Sequence, residues 1–293
     1  MGKSVLTIRE LGEKTCWLLV QQAIGIPDAK MRTDFLSEKV TVLFFAAPSL
    51  PERLCVSAAF RQMGGAVVYE VDSSGDAWRD ELHQHQAHLL PIFDFYLDCI
   101  YIYGIPVNTY LHKELKVDFP TINAGSPDAH PSHALADIAY MLKTSRYLNS
   151  VPATWLGTPN GTLYSLVAAS EWFPFSLKIF TPPNSDLAHL KTLIGDSKKI
   201  EIVDNMKDAV KDAKYIFAGS RRDIDFPSIK NWELNRSVLS PADKNFRIFL
   251  GARPINCLPI DQELMESSAS LLLQQSEYRL RIHKRILHWV FSL

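Results

Sequence analysis

The sequence is poor in cysteine, has no excess of either charge, and contains no long hydrophobic run. Its four cysteines, Cys16, Cys55, Cys99 and Cys257, stand far apart in mostly apolar surroundings. That spacing offers neither a CxxC redox pair nor a zinc-ribbon pattern, and predicts reduced thiols. Lysine and arginine number 31 against 32 aspartates and glutamates, a formal net charge of -1. Bulk electrostatics therefore gives no footing for nucleic acid or an anionic membrane surface. No stretch approaches the roughly 20 apolar residues of a membrane span. The N-terminal stretch to Ile26 lacks the apolar segment and cleavage site of a signal peptide, and Leu6 stands where a myristoylation signal needs a hydroxyl. The expectation is a cytoplasmic protein whose partner is a small molecule, without nucleic acid or membrane.

What is present is the composition of a globular protein, 47% hydrophobic and 22% charged over 293 residues, enough for about two domains. Thr7 with Glu10 three residues on reads as a capping box, and Leu11, Leu18, Leu19 and Ala23 follow on one helical stripe. The apolar run 40–46 reads as a buried strand, followed by a helix over 51–63 that Gly64 and Gly65 end. Strands are predicted at 66–71, 98–103 and 120–124, with a polar loop over 72–80, a helix over 81–90 and another over 133–148. The pattern restarts with strands at 153–157, 176–180, 199–203, 214–218 and 246–250. A long amphipathic stretch, 267–290, closes the chain. Strands alternating with helices of this length predict an α/β protein, two three-layer α/β/α domains with mostly parallel sheets. The boundaries are drawn at 1–148 and 149–266, with 267–293 packing back on the first domain.

In such folds ligands gather at the carboxyl ends of strands, where helix N-termini present unpaired N–H groups. This directs attention to Ser49, Arg53, Tyr103, Asn123, Ser126, His130, Asn160, Ser165, Ser220, Arg221, Arg222 and Cys257. His130, before Pro131 and a helix, suits a hydrogen-bonding or electrophilic role; a simple helix cap is the alternative. Arg53 could face an anion or pair with a surface carboxylate. Cys257 lines a strand end without an adjacent base, so a small buried hydrophobe is the plainer reading than a nucleophile. Arg279 and Lys284 on the last helix are candidate anion contacts, or a solvated face. His83, His85 and His88 share a helix face but lack a pattern such as HExxH, so neither metal nor cofactor is expected.

The run from Phe45 to Ser57, FAAPSLPERLCVS, resembles the FEKPSTRTRxSFE signature of the aspartate/ornithine carbamoyltransferase family without a gap, and continues to Gly64 and Gly65. The HPxQxLxD segment of that family is matched by HPSHALAD from His130 to Asp137. Its HCLP turn is matched by Asn256, Cys257, Leu258 and Pro259. Gly157, Asn160, Ser165 and Leu166 align with a GDGNNxxxSL segment, and 277–285 faintly with ENRxHxQKA. The resemblance implies an N-terminal carbamoyl-phosphate domain, a C-terminal amino-acid domain, and a homotrimer in which a loop of one subunit, here around Ser74 and Arg79, completes its neighbour's site. It implies catalytic roles for His130 and Arg53. Donor or anion contacts would come from Ser49, Glu52, Arg53, Tyr103, His133 and Arg279, and amino-acid contacts from Asn160, Ser165, Cys257 and Leu258.

The departures fall where the family grips phosphate. Its Ser-Thr-Arg-Thr run is Ser49, Leu50, Pro51 and Glu52 here, so a guanidinium is replaced by proline and a hydroxyl by a carboxylate that repels a phosphate dianion. A further arginine becomes Tyr103, the glutamine of HPxQ becomes His133, and the histidine of HCLP becomes Asn256. Three functions compete. The first is a divergent transferase acting on an amino acid or its derivative, with His133 or Glu52 as a possible base and ordinary carbamoyl phosphate use absent or weak. The others are a noncatalytic regulatory or ligand-binding homologue, and a lyase or cyclase of specialised metabolism.

Overall fold

The computed structural model describes residues 3–69, 92–107, 120–221, 232–251 and 257–292. The predicted helix over 81–90, the loop 72–80, His83, His85, His88, Arg222 and Asn256 lie outside these. Two compact units are present, Met1–Ala136 with Glu277–Leu293, and Asp137–Ser276.

The first unit opens with α1 (Ile8–Ile24). The Thr7 side chain accepts from Glu10 N–H at 3.2 Å, the cap expected from sequence. A left-handed Gly12 (φ 74°) kinks α1. Beyond the kink the buried stripe is Cys16, Leu19, Val20 and Ala23, leaving Leu18, expected inside, 42% exposed. Then come β1 (Val40–Phe45), α2 (Leu50–Gln62), β2 (Ala66–Tyr69), β3 (Cys99–Tyr103), β4 (Thr121–Gly125) and α3 (Pro131–Ser145). The strands form a parallel sheet in the order β2-β1-β3-β4. The helix α3 starts at Pro131 and not at His133 because proline, having no N–H to lose and a preset φ, suits the first helical turn. In β1 and β3 alternate residues divide between two faces. Val42, Phe44, Ile100 and Ile102 pack with Leu6, Ile105, Val107 and Ala129 on one. Phe45 stacks on Tyr103, and Tyr101 meets His283, on the other.

The second unit contributes β5 (Pro152–Leu156), α4 (Gly161–Ala169), β6 (Ser176–Phe180), α5 (Ala188–Ile194), β7 (Ile200–Ile202), α6 (Met206–Val210), β8 (Tyr215–Ala218), β9 (Arg247–Leu250) and α7 (Gln262–Glu266). Its five strands are again parallel, in the order β7-β6-β5-β8-β9. The Trp155 ring of β5, fully buried, lies where a Cβ on Gly219 or Gly251 would stand, at 2.6 Å and 2.5 Å. Gly251→Ala should therefore destabilise the chain by about 1–3 kcal/mol through overpacking, read as a lowered urea midpoint; an unchanged midpoint would refute this packing constraint.

The last helix, α8 (Leu272–Phe291), starts later than the predicted 267. Ser267 instead ends α7, its N–H and Oγ both donating to the Leu264 carbonyl. Lys284, offered from sequence as an anion contact, donates to the carbonyls of Ala29 and Met31, each at 2.6 Å. Arg281 donates to Ala23 and Ile26 carbonyls. These cations tie α8 to the end of α1 and the segment that follows it, through charge-assisted hydrogen bonds to main-chain carbonyls. No helix among the described residues is long and apolar enough to cross a membrane.

Candidate functional site

Three local structures place the polar groups of the first unit. Ser49 is the N-cap residue of α2, with Leu50, Pro51 and Glu52 in its first turn. Pro51 removes a backbone N–H from the helix start, and Ser49 Oγ, buried, caps nothing. Glu52 stands three residues after the cap, yet its carboxylate turns to Arg279 of α8: Nη1 donates to Oε1 at 2.8 Å.

The second local structure is the turn between β4 and α3. Asn123 Nδ2 donates to the Leu6 and Ala129 carbonyls at 2.9 and 3.0 Å, while its Oδ1 accepts from Gly125 N–H at 2.8 Å. Ser126 Oγ bonds Asp128 and the Ala129 carbonyl. Gly125 has φ 139°, and a Cβ there would lie 2.9 Å from both the His130 and Tyr103 rings. Only glycine lets both rings close over that point. His130 and His133 then meet edge to face, centroids 4.9 Å apart.

The third is one face of α8, where Arg279 and His283 are four residues apart and therefore adjacent. Arg279 Nη2 lies 2.5 Å from His133 Nε2. One guanidinium thus spans Glu52 and His133.

Burial pushes the His130 imidazole down to about 3, assisted by the Arg279 charge. His130 is therefore neutral, and its 4.0 Å approach to Glu52 Oε2 is not an ion pair. The Ala124 carbonyl holds its other ring nitrogen, so Nε2 presents a lone pair toward Glu52. Burial likewise lowers His283 to about 4, partly opposed by Glu52. Cys55, on α2 beside this cluster, is raised to about 12 by burial and then by the Glu52 charge, which leaves it without thiolate character.

The structure thus brings Glu52, His130, His133 and Arg279 together. Arg53 lies with its guanidinium 5.0 Å from the centre of the Phe45 ring, the ring on which Tyr103 stacks. Two residues escaped the sequence reading, His283 and Tyr101, both fully buried against each other. The four-residue spacing from Arg279 was the available signal for His283; nothing local pointed to Tyr101. Glu52, His130 and His133 each offer a ligand atom within 4.8 Å of the others, the candidates among the described residues for holding a metal ion.

In the second unit, Asn160 caps α4, its Oδ1 accepting from Thr162 and Leu163 N–H at 2.9 and 3.2 Å, and its Nδ2 donates to the Gly251 carbonyl at 3.0 Å. Thr158, Ser220 and Cys257 are joined by successive bridges, and Leu258 N–H donates to Gly219. Gly157 (φ 124°) is required there, since a Cβ would meet the Ser220 carbonyl oxygen at 2.6 Å. Ser165 is buried on α4 and Cys257 at the strand ends. Arg221 is exposed.

Two parallel α/β units, each with polar groups at the carboxyl ends of its strands, have the layout of a ligand-binding α/β protein, and comparison identifies the family. Residues 3–143 match the carbamoyl-phosphate-binding domain, and 149–290 the Asp/Orn-binding domain, of the aspartate/ornithine carbamoyltransferase family. The chain belongs to that family of carbamoyl-group transferases. It is 27% identical to an ornithine carbamoyltransferase of Nitratidesulfovibrio vulgaris, with both chains fully covered. It is 25% identical to that of Mesorhizobium japonicum, covering 88% of this chain and 87% of the relative. Its two α/β/α domains superpose on the ornithine carbamoyltransferase of Thermus thermophilus with a TM-score of 0.85 at 21% identity, covering all of both chains. Against aspartate transcarbamoylase of Trypanosoma cruzi the score is 0.81 at 16% identity, covering 98% and 94%.

Proposed function

We propose that this chain is a divergent carbamoyltransferase that acts on an amino acid or amino-acid derivative and does not use carbamoyl phosphate in the family's usual way. The observation that carries this reading is the Glu52–Arg279 pair. The resemblance places a phosphate-binding hydroxyl at Glu52; the residue there is a buried carboxylate that already neutralises the neighbouring guanidinium. A phosphate dianion would have to compete with Glu52 for Arg279 while facing its charge. Pro51, in place of the family's arginine, supplies neither a side-chain nor a backbone donor. Losing one buried charged contact costs about 2–5 kcal/mol, roughly 30-fold or more in affinity.

On this reading His130, with its Nε2 lone pair turned inward, accepts a hydrogen bond from a substrate N–H, the hydrogen-bonding one of the two roles offered from sequence. Arg53 and Ser49 flank the start of α2, Arg279 positions Glu52 and His133, and Asn160, Ser165, Cys257 and Leu258 contribute to amino-acid binding. The assembly is a homotrimer with shared sites, to be checked by light scattering.

Calorimetry with carbamoyl phosphate should show no saturable heat up to millimolar concentration, and assays with ornithine or aspartate should yield no carbamoylated product. Micromolar binding with normal product formation would sink the proposal. A second reading, a noncatalytic ligand-binding homologue, is favoured by the same commitment of Arg279 to its own chain. It differs in predicting no turnover with any donor.

A further inference from the structure

We propose that Glu52, His130 and His133 form a binding site for a divalent transition metal of the zinc or cobalt class, with Arg279 as the outer residue that anchors Glu52. The inference stands apart from the choice of donor, but a bound metal takes the His130 Nε2 lone pair that is otherwise offered to a substrate N–H. It rests on four features of the cluster.

The first is distance. The three ligand atoms lie within 4.8 Å of one another, and Glu52 Oε2 is 4.0 Å from His130 Nε2. A tetrahedral zinc with ligand distances of about 2.0–2.2 Å needs its donor atoms roughly 3.4 Å apart. Closing the triangle takes shifts of the donor atoms on the order of an ångström.

The second is ligand type and support. Two imidazoles and one carboxylate are a recurrent set at sites that leave a coordination position open. Metal-binding histidines commonly give their other ring N–H to a backbone carbonyl, as His130 does to Ala124. Metal-binding carboxylates are commonly held by a hydrogen bond to the second oxygen, as Arg279 holds Glu52 Oε1.

The third is the unsatisfied acceptor. Glu52 Oε2 is buried and has no hydrogen-bond partner, although a carboxylate oxygen removed from water is costly to leave unpaired. A cation between it and the imidazoles supplies the missing partner. The fourth is rigidity, since Glu52 and His133 sit in the first turns of α2 and α3 and His130 immediately precedes α3.

Arg279 sets the terms of binding. Its Nη2 lies against His133, so a metal must displace that contact, while Nη1 can stay on Glu52. The guanidinium competes for His133 and repels a divalent ion. Removing its charge should therefore tighten metal binding, the opposite of what a purely structural role would predict.

The test uses the full chain stripped with a chelator and titrated with Co2+, followed by visible absorption and by calorimetry, with circular dichroism on each variant. One Co2+ per chain is expected, with the ligand-field bands of a low-coordinate site. Binding should be lost in Glu52→Gln and His133→Asn and become at least tenfold tighter in Arg279→Met. X-ray absorption of the cobalt-loaded wild-type chain should show two imidazoles, which keeps the test independent of whether variants fold. Absence of cobalt bands in both wild type and Arg279→Met would overturn the proposal. So would a spectrum without imidazole ligands, or undiminished binding by folded His133→Asn.

Discussion

Glu52→Leu should cost about 3–5 kcal/mol of stability, and Arg279→Met in the same chain should recover most of that loss. Glu52 and Arg279 are 4% and 14% exposed in their side chains and meet at 2.8 Å. Bringing both charges out of water costs several kcal/mol per ion, a cost offset by their attraction only while both are present. With Glu52 gone, Arg279 faces His133, the neutral His130 and the neutral His283, none of which neutralises a guanidinium. With both replaced by apolar side chains of similar volume, the desolvation cost disappears along with the attraction, and such exchanges are often neutral or stabilising. Urea midpoints for the wild type, the two single variants and the double variant close a thermodynamic cycle. A double variant as unstable as the sum of the singles would show that the pair is not coupled.

The elements that could be read from sequence are those set by neighbours along the chain. Thr7 caps α1 by accepting from the Glu10 N–H, the N-cap half of the box read from sequence, and β5 and β8 are apolar runs because a parallel strand is covered on both faces. Pro131 marks the start of α3, although the reading from periodicity placed that start at His133. Where the reading failed locally, a backbone feature intervened: Gly12 in a left-handed conformation rephases α1 and exposes Leu18. The candidate site divides in the same way. Ser49 and His130 were visible as residues at strand ends and helix starts, and Glu52 and His133 through the resemblance to the family's signatures. Their pairing was not. Glu52 and Arg279 are 227 positions apart, and no periodicity links a first-turn glutamate to an arginine on the last helix. A carboxylate in a phosphate signature reads from sequence as repulsion of a ligand. In three dimensions it is first a partner for a cation of its own chain, and its second oxygen is the group left over for chemistry.

Acid should weaken the fold well before general carboxylate protonation begins, through His130 and His283. Burial holds these imidazoles at about 3 and about 4, whereas in the unfolded chain each returns to about 6.5. Between those values the unfolded chain binds more protons, so their contribution is complete above about pH 6.5 and is lost as pH falls toward 4. From pH 7 to 5 the two together should remove about 3–4 kcal/mol, since each bound proton contributes about 1.4 kcal/mol per pH unit. The groups around them set the direction. Arg279 opposes a second positive charge on either ring, His130 opposes protonation of His283, and Glu52 favours it on His283 without overcoming burial. His133 faces His130 edge to face and already accepts Arg279. Tyr101 and Cys55, both raised by burial, stay protonated and neutral throughout this range. Urea unfolding of the chelator-treated chain at pH 7, 6 and 5 measures the slope, and His283→Gln should remove about half of it. A midpoint that stays level from pH 7 to 5 would mean that water or a ligand reaches these rings in the folded chain, and that the cluster is not the dry, neutral-histidine environment its packing describes.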